Sequence, residues 1–86
     1  ALVRGLGDVY KRQGPYDLIF ANILKGPLIE LAPAISARLA TGGRAILSGL
    51  LVVQAEAVTA AYLAEGLCLR NRDDIGEWST LELQRL

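Results

Sequence analysis

The stretch Tyr16-Asp17-Leu18-Ile19-Phe20-Ala21-Asn22-Ile23-Leu24-Lys25-Gly26-Pro27-Leu28 decides the fold. Leu18 to Ala21 is a short continuous apolar run, the signature of a strand buried on both faces. It ends on a lone polar side chain, Asn22. An apolar pair, Ile23 and Leu24, and a Gly26-Pro27 punctuation follow at once. Pro27 suits the first position of a helix. A strand passing directly into a helix is the building unit of an open α/β sheet. In such sheets ligands bind outside the carboxyl ends of the strands. Asn22 stands at that end, offering one acceptor oxygen and two donor hydrogens.

Working outward, Leu28, Leu31, Ala32, Ile35 and Leu39 recur at three- and four-residue spacing, one face of a helix. Pro33 lies inside this pattern and predicts either a kink or a split into a first turn and a main body. Thr41-Gly42-Gly43 is expected to end the helix, with a glycine in the left-handed cap. Ala45 to Gly49 reads as a second strand. Val52 to Glu65, closed by Gly66, reads as a second helix with Val53, Ala57, Ala61 and Tyr62 as its inner stripe. Leu67-Cys68-Leu69 opens a third strand that alternates into Arg72. Asp73 to Glu77 reads as a turn. Trp78, Thr80, Leu81 and Leu83 lie on a last strand ending near Arg85. The connection between the last two strands is too short for a crossover helix and fits an antiparallel hairpin. The fold class is therefore α/β, with a parallel body and an antiparallel finish.

Composition narrows the function. The chain has 86 residues, nine basic and nine acidic, and 52% of it is apolar. It can build a core, but of one small domain or part of a larger one. Its basic residues are scattered and form no stripe for a nucleic-acid backbone, so no direct nucleic-acid binding is expected. Cys68 is the single cysteine, which excludes an internal disulfide and fits a reducing, cytoplasmic compartment. No apolar run reaches the roughly 18–20 residues of a membrane span. There is no histidine, so metal sites and Ser-His chemistry start with their commonest partner missing.

Residues 1–13 read differently. Asp8-Val9-Tyr10-Lys11-Arg12-Gln13 has neither helical nor strand periodicity. It is what GAT-GTG-TAT-AAG-AGA-CAG, a common sequencing-adapter end, would encode. We read 1–13 as a non-native leader and 14–86 as the folded part, an ordinary polar loop being the alternative. Gly5-Leu6-Gly7 is not read as a phosphate loop, because no strand is expected before it and no helix after it.

From Gly14 onward the motifs match a family. They are Tyr16-Asp17 leading to Ala21-Asn22-Ile23-Leu24, then Pro27-Leu28 with Glu30-Leu31-Ala32-Pro33. Further on come Gly42-Gly43 before Leu47-Ser48-Gly49, Gln54-Ala55-Glu56 with Ala60 and Tyr62, and Gly76-Glu77-Trp78. The pattern resembles the carboxyl-terminal half of a class I, Rossmann-like S-adenosylmethionine-dependent methyltransferase. Within that group it is most similar to the PrmA family, which methylates the eleventh protein of the large ribosomal subunit in bacteria. The resemblance implies strands four to seven of a seven-stranded sheet, and S-adenosyl-L-methionine as cofactor. The implied reaction is methyl transfer to lysine side-chain and terminal amines of that ribosomal protein. Many amino-group methyltransferases carry two prolines after the Asn or Asp; here Ile23 and Leu24 stand there, the PrmA-like variant. The family's Gly-rich turn and ribose-holding acid have no counterpart after Gly14. The resemblance thus implies a fragment holding one wall of a site, inactive and weak in cofactor binding by itself. It also implies an unpaired, aggregation-prone edge at Leu18 to Ala21. A methyltransferase with another target and a non-catalytic α/β binding module remain the other readings.

The resemblance places Asn22 against the cofactor and beside the accepting nitrogen. Methyl transfer from a sulfonium to an amine is a direct displacement, so it is mainly an orientation problem. An Asn carbonyl oxygen can accept a hydrogen bond from the amine and aim its lone pair. A backbone carbonyl such as that of Ile23 can accept a second. Neither is a strong base, so the missing histidine is tolerable. The plainer reading of Asn22 is a helix cap or a turn. Ile23 and Leu24 either wall the site against water or pack under the helix start. Lys25 and Glu77 read as solvated charges, and Tyr16 and Asp17 as structural. Ser48 and Gly49 end their strand beside Asn22, lining an entrance or making a tight turn. Cys68 reads as a buried, inert thiol and Trp78 as core or edge packing.

Overall fold

The computed structural model describes residues 2–3, 15–23 and 27–86. Its strands are β1 (Leu2–Val3), β2 (Tyr16–Asn22), β3 (Leu39–Leu51), β4 (Leu67–Ile75) and β5 (Trp78–Arg85). Helix α1 (Ala32–Ala37) joins β2 to β3, and α2 (Ala55–Ala64), preceded by a 3₁₀ turn at Val52–Gln54, joins β3 to β4. The strands form one sheet in the order β1-β2-β3-β5-β4. The first three are mutually parallel, and β5 runs antiparallel to both β3 and β4. The expected parallel body and antiparallel finish are both present. The chain's last strand is inserted between β3 and β4, so those two never pair.

The apolar runs become strands for the expected reason. Ile19 and Ala21 of β2, Ala45 and Leu47 of β3, and Leu81 and Leu83 of β5 alternate inward and are buried. They join one core with Leu31 and Ile35 at α1 and Val58 and Tyr62 of α2. Both helices therefore cover the same face of the sheet. On the other face Leu18 is 40% and Phe20 46% exposed. No helix among the described residues is long and apolar enough to cross a membrane.

Several boundaries differ from the sequence reading. Pro33 splits the expected first helix: residues 28–31 make a turn, and α1 starts at Ala32 with Pro33 in its first turn. A proline ring cannot sit one turn further in without removing a hydrogen bond and striking a carbonyl. The helix also ends earlier, at Arg38, whose backbone N–H reaches Ile35 O at 3.2 Å. Thr41-Gly42-Gly43 is therefore no helix cap but part of β3, where Gly42 has φ +80°. Between Tyr16–Leu39 and Leu18–Arg44 the β2–β3 register slips, and Gly43 packs there. A Cβ on Gly43 would stand 2.8 Å from Tyr16 O and 2.9 Å from Ala40 O.

The inner stripe of the second helix is also corrected. Gln54 Oε1 accepts the Leu51 N–H at 2.9 Å, and the α-helix begins only at Ala55. That phase buries Ala55, Val58 and Tyr62 and leaves Val53 and Ala57 exposed, with Ala61 partly covered. The last hairpin is tighter than read: β4 continues through Asp73, Asp74 and Ile75 to a Gly76-Glu77 turn, with Gly76 at φ +59°. Asp74 accepts hydrogen bonds from the Arg72 guanidinium and, at 2.7 Å, from the buried Ser79 hydroxyl. These contacts hold Asp74 in a strand despite the low β propensity of aspartate. Trp78 faces outward and is half-exposed rather than core, and Cys68 is only partly buried.

Two expectations about the amino-terminal part also change. Leu2–Val3 is a strand preceding Gly5, and it pairs parallel with Phe20 and Ala21. The edge of β2 is thus occupied at those two residues rather than bare. Gly5-Leu6-Gly7 itself lies outside the described residues.

Candidate functional site

The carboxyl ends of β2 and β3 lie side by side, with Asn22 paired to Ser48. Asn22 is the last residue of β2 and is exposed there. The cap of α1 is Leu31, nine positions on in the chain and without a side-chain bond, so Asn22 does not serve as the helix cap. Its geometric partner is Gly49. A Cβ on Gly49 would stand 3.0 Å from Asn22 Oδ1, 3.2 Å from the Ile23 carbonyl carbon and 3.3 Å from its oxygen. Gly49 also has φ +81°, a conformation that L side chains rarely adopt.

Gly49 reaches this position through a β-bulge. Leu47 pairs with Leu81 and Leu50 with Ser79, so Ser48-Gly49 is one residue longer than the opposing segment of β5. Bulges bend and re-aim strands and are over-represented beside active sites. Here the bulge brings backbone, with no side chain on it, against the Asn22 amide.

Ile23 follows Asn22 and is buried. Leu24, the third predicted site residue, lies outside the described residues, as do Lys25 and Gly26. The chain resumes at Pro27, whose carbonyl accepts the Leu31 N–H at 3.0 Å. Tyr62 of α2 donates its buried hydroxyl to Leu28 O at 2.8 Å, and burial pushes that hydroxyl well above the ordinary tyrosine range. Tyr62 thus ties the helix after β3 to the turn that follows Asn22. The sequence reading placed Tyr62 in the core but did not foresee this bond.

Between that turn and the start of α2 opens a cleft of about 460 Å³. Ile23 and Gly49 line it, together with Leu28, Leu50, Val53 and Val58. Val53 and Ala57 were read as core because they sit in an apolar run; their exposure and their place at the cleft follow from the 3₁₀ turn. The Gln54 side chain, which caps the start of that turn, was the local signal. Among the described residues no group of three or more His, Cys, Asp or Glu is placed to hold a metal ion. The arrangement can present one amide and two backbone carbonyl-bearing segments to a ligand at the strand ends, with an apolar cleft alongside.

Comparison with known proteins agrees with this architecture. The family model described as Ribosomal protein L11 methyltransferase (PrmA) matches residues 2–86. A Ribosomal protein L11 methyltransferase from a Caulobacter species is 52% identical over 82 residues, which is 94% of this chain and 28% of the relative. One from Bradyrhizobium diazoefficiens is 49% identical over 77 residues, 90% of this chain and 26% of the relative. The crystal structure of a ribosomal protein L11 methylase from Lactobacillus delbrueckii subsp. bulgaricus superposes with a TM-score of 0.81. It is 28% identical, and the match covers 90% of this chain and 40% of that one. The chain thus spans about a quarter of the length of the curated relatives it matches. On the match of residues 2–86, this chain belongs to the ribosomal protein L11 methyltransferase (PrmA) family.

Proposed function

We propose that this chain forms one wall of the active site of a cytoplasmic, S-adenosylmethionine-dependent N-methyltransferase. Its substrate would be the lysine side-chain and terminal amines of the large-subunit ribosomal protein for which its relatives are named. The observation that carries the reading is the exposed Asn22 amide at the carboxyl end of β2, set against the side-chain-free backbone of Gly49.

The residues present fit the cofactor on one point: Asn22 is exposed at the carboxyl end of β2, and Gly49 packs so closely behind it that a Cβ would stand 3.0 Å from Asn22 Oδ1. Asn22 would touch the cofactor there, with Ile23 behind it; Leu24 is the third residue of the proposed wall. When bound, S-adenosylmethionine supplies an electrophilic methyl group on a sulfonium sulfur.

The remaining work is orientation. Asn22 Oδ1 accepts a hydrogen bond from the amine, and the Ile23 carbonyl accepts a second. Two fixed acceptors leave a neutral amine with its lone pair pointing away from them. Holding reacting atoms in line accounts for a large part of such rate enhancements. The buried Ile23 side chain keeps water from the reacting nitrogen. No general base is placed by this wall, so the amine must arrive deprotonated.

The test uses a full-length enzyme in which this chain replaces the corresponding segment of the Caulobacter relative. Asn22→Ala is expected to lower methyl transfer to the ribosomal protein by about 100-fold or more. Circular dichroism should be unchanged, since Asn22 is exposed. Normal activity together with normal cofactor affinity in that variant would remove Asn22 from the site.

A further inference from the structure

We infer that the cleft beside Asn22 seats the part of the polypeptide substrate adjoining the accepting amine, an aliphatic side chain in a positively charged segment. The inference rests on the amine-orienting role of Asn22 proposed above and extends it to how the substrate is held.

Three observations lead there. First, the cleft is continuous with the site: Ile23 and Gly49 line the cleft, and both meet at Asn22. A polypeptide presenting an amine at Asn22 must lay its neighbouring residues across the adjoining surface. Second, the lining is apolar where it is deep, and aliphatic residues also stand at its rim beside Glu30 and Gln54. Leu28, Leu50 and Val58 are buried, while Ile29 is 49% and Val53 87% exposed. Exposed aliphatic residues gathered at one concave place mark a binding surface more than isolated ones do. The volume, about 460 Å³, lies in the range of ligand-holding clefts and exceeds the needs of one aliphatic side chain.

Third, charge selects the occupant. Among the described residues lining the cleft, Glu30 carries the only charge. The one polar side chain beside it is Gln54, whose carbonyl oxygen is already engaged by the Leu51 N–H at 2.9 Å. A carboxylate-bearing ligand would meet Glu30 with no cation among those residues to offset it. A lysine-bearing polypeptide would instead place apolar side chains and methylene stems on the Val53 rim and positive charge near Glu30. Complementary charge of this kind suppresses wrong partners and favours encounter with the right one.

The test uses the same full-length chimera and the purified ribosomal protein as substrate. Val53→Ser and Glu30→Lys change exposed side chains, so folding is preserved. Leu63→Asp, on α2 but outside the cleft, serves as the control. Each cleft variant is expected to raise KM for the ribosomal protein about tenfold, the scale of losing one good contact. In both variants kcat and the S-adenosylmethionine Kd should stay within twofold of the parent's, and in the Leu63→Asp control KM should too. Unchanged KM in both cleft variants, with Asn22→Ala inactive, would overturn the cleft and leave the amine-orienting role intact. Equal loss in the Leu63→Asp control would also overturn it. Full activity of Asn22→Ala would overturn the orienting role, whatever the cleft variants show.

Discussion

Gly49 and Asn22 are fitted to each other across two parallel strands. A Cβ on Gly49 would stand 3.0 Å from Asn22 Oδ1, and the glycine adopts φ +81° to come that close. The amide's position is therefore set by the bulge in β3 as much as by β2, which carries it. Gly49→Ala would be strained in the left-handed region, at a cost of roughly 1–2 kcal/mol. It would also push the Asn22 amide aside, because that side chain yields more easily than the Ile23 backbone. In the full-length chimera the expected result is a drop in methyl transfer on the order of 10–100-fold. Urea denaturation should show only the modest stability loss. Retained activity in Gly49→Ala would mean that the amide's position does not matter.

Gly43 is a purely structural counterpart. Its neighbours at 2.8 and 2.9 Å from a Cβ are the carbonyl oxygens of Tyr16 and Ala40, neither of which can swing away. Gly43→Ala must part the strands where the β2–β3 register slips. The expected cost is about 1–3 kcal/mol, the range for overpacked sites. Measured by urea denaturation of the chimera, it should exceed the cost of Gly42→Ala beyond backbone strain, since Gly42 has open space around it.

Tyr62 holds the turn after Asn22 through one buried hydrogen bond, from its hydroxyl to Leu28 O at 2.8 Å. Tyr62→Phe leaves that carbonyl without its donor, at a cost of about 1–3 kcal/mol. The same bond gives a pH dependence. Burial holds the Tyr62 hydroxyl in its neutral form to higher pH than in the unfolded chain. Its contribution is complete below the unfolded pKa of about 10 and falls as pH rises above it, because only the unfolded chain then releases the proton. Stability of the chimera should decline more steeply above about pH 10 than that of its Tyr62→Phe variant. Parallel curves in chemical denaturation would show that Tyr62 titrates freely.

The uncovered face of the sheet gives a prediction about the 86-residue chain itself. Mostly parallel sheets normally have both faces covered, yet Leu18 and Phe20 are 40% and 46% exposed on the side away from the helices. The expected poor solubility thus has a different origin from a bare edge, since β1 pairs with Phe20 and Ala21. Phe20→Ser should raise the soluble yield of the chain while changing its stability by no more than about 1 kcal/mol. An unchanged yield on size-exclusion chromatography would place the aggregation elsewhere.

Much of the fold was legible because it follows from local rules. Leu18 to Ala21 and Ala45 to Leu47 are apolar runs of strand length between turn signals, which fits buried strands. Pro33 forbade an unbroken helix, and the short connection before Trp78 required antiparallel pairing. The register was not legible. Nothing near Asp73 and Asp74 announces a strand; their pairing with Thr80 and Ser79 makes one. Val53 looked like core because its neighbours are apolar, but it lies in the 3₁₀ turn that Gln54 caps and is exposed there.

By itself the sequence determined the α/β class, the polar residue at a strand end, and the family whose motifs surround it. These depend on residue type and on spacing along the chain. Only the tertiary structure decided that the final strand lies between β3 and β4, that Gly49 meets Asn22, and that a cleft opens beside them. Such contacts join residues far apart in sequence, and they are fixed by how the sheet's register and the two helices pack together.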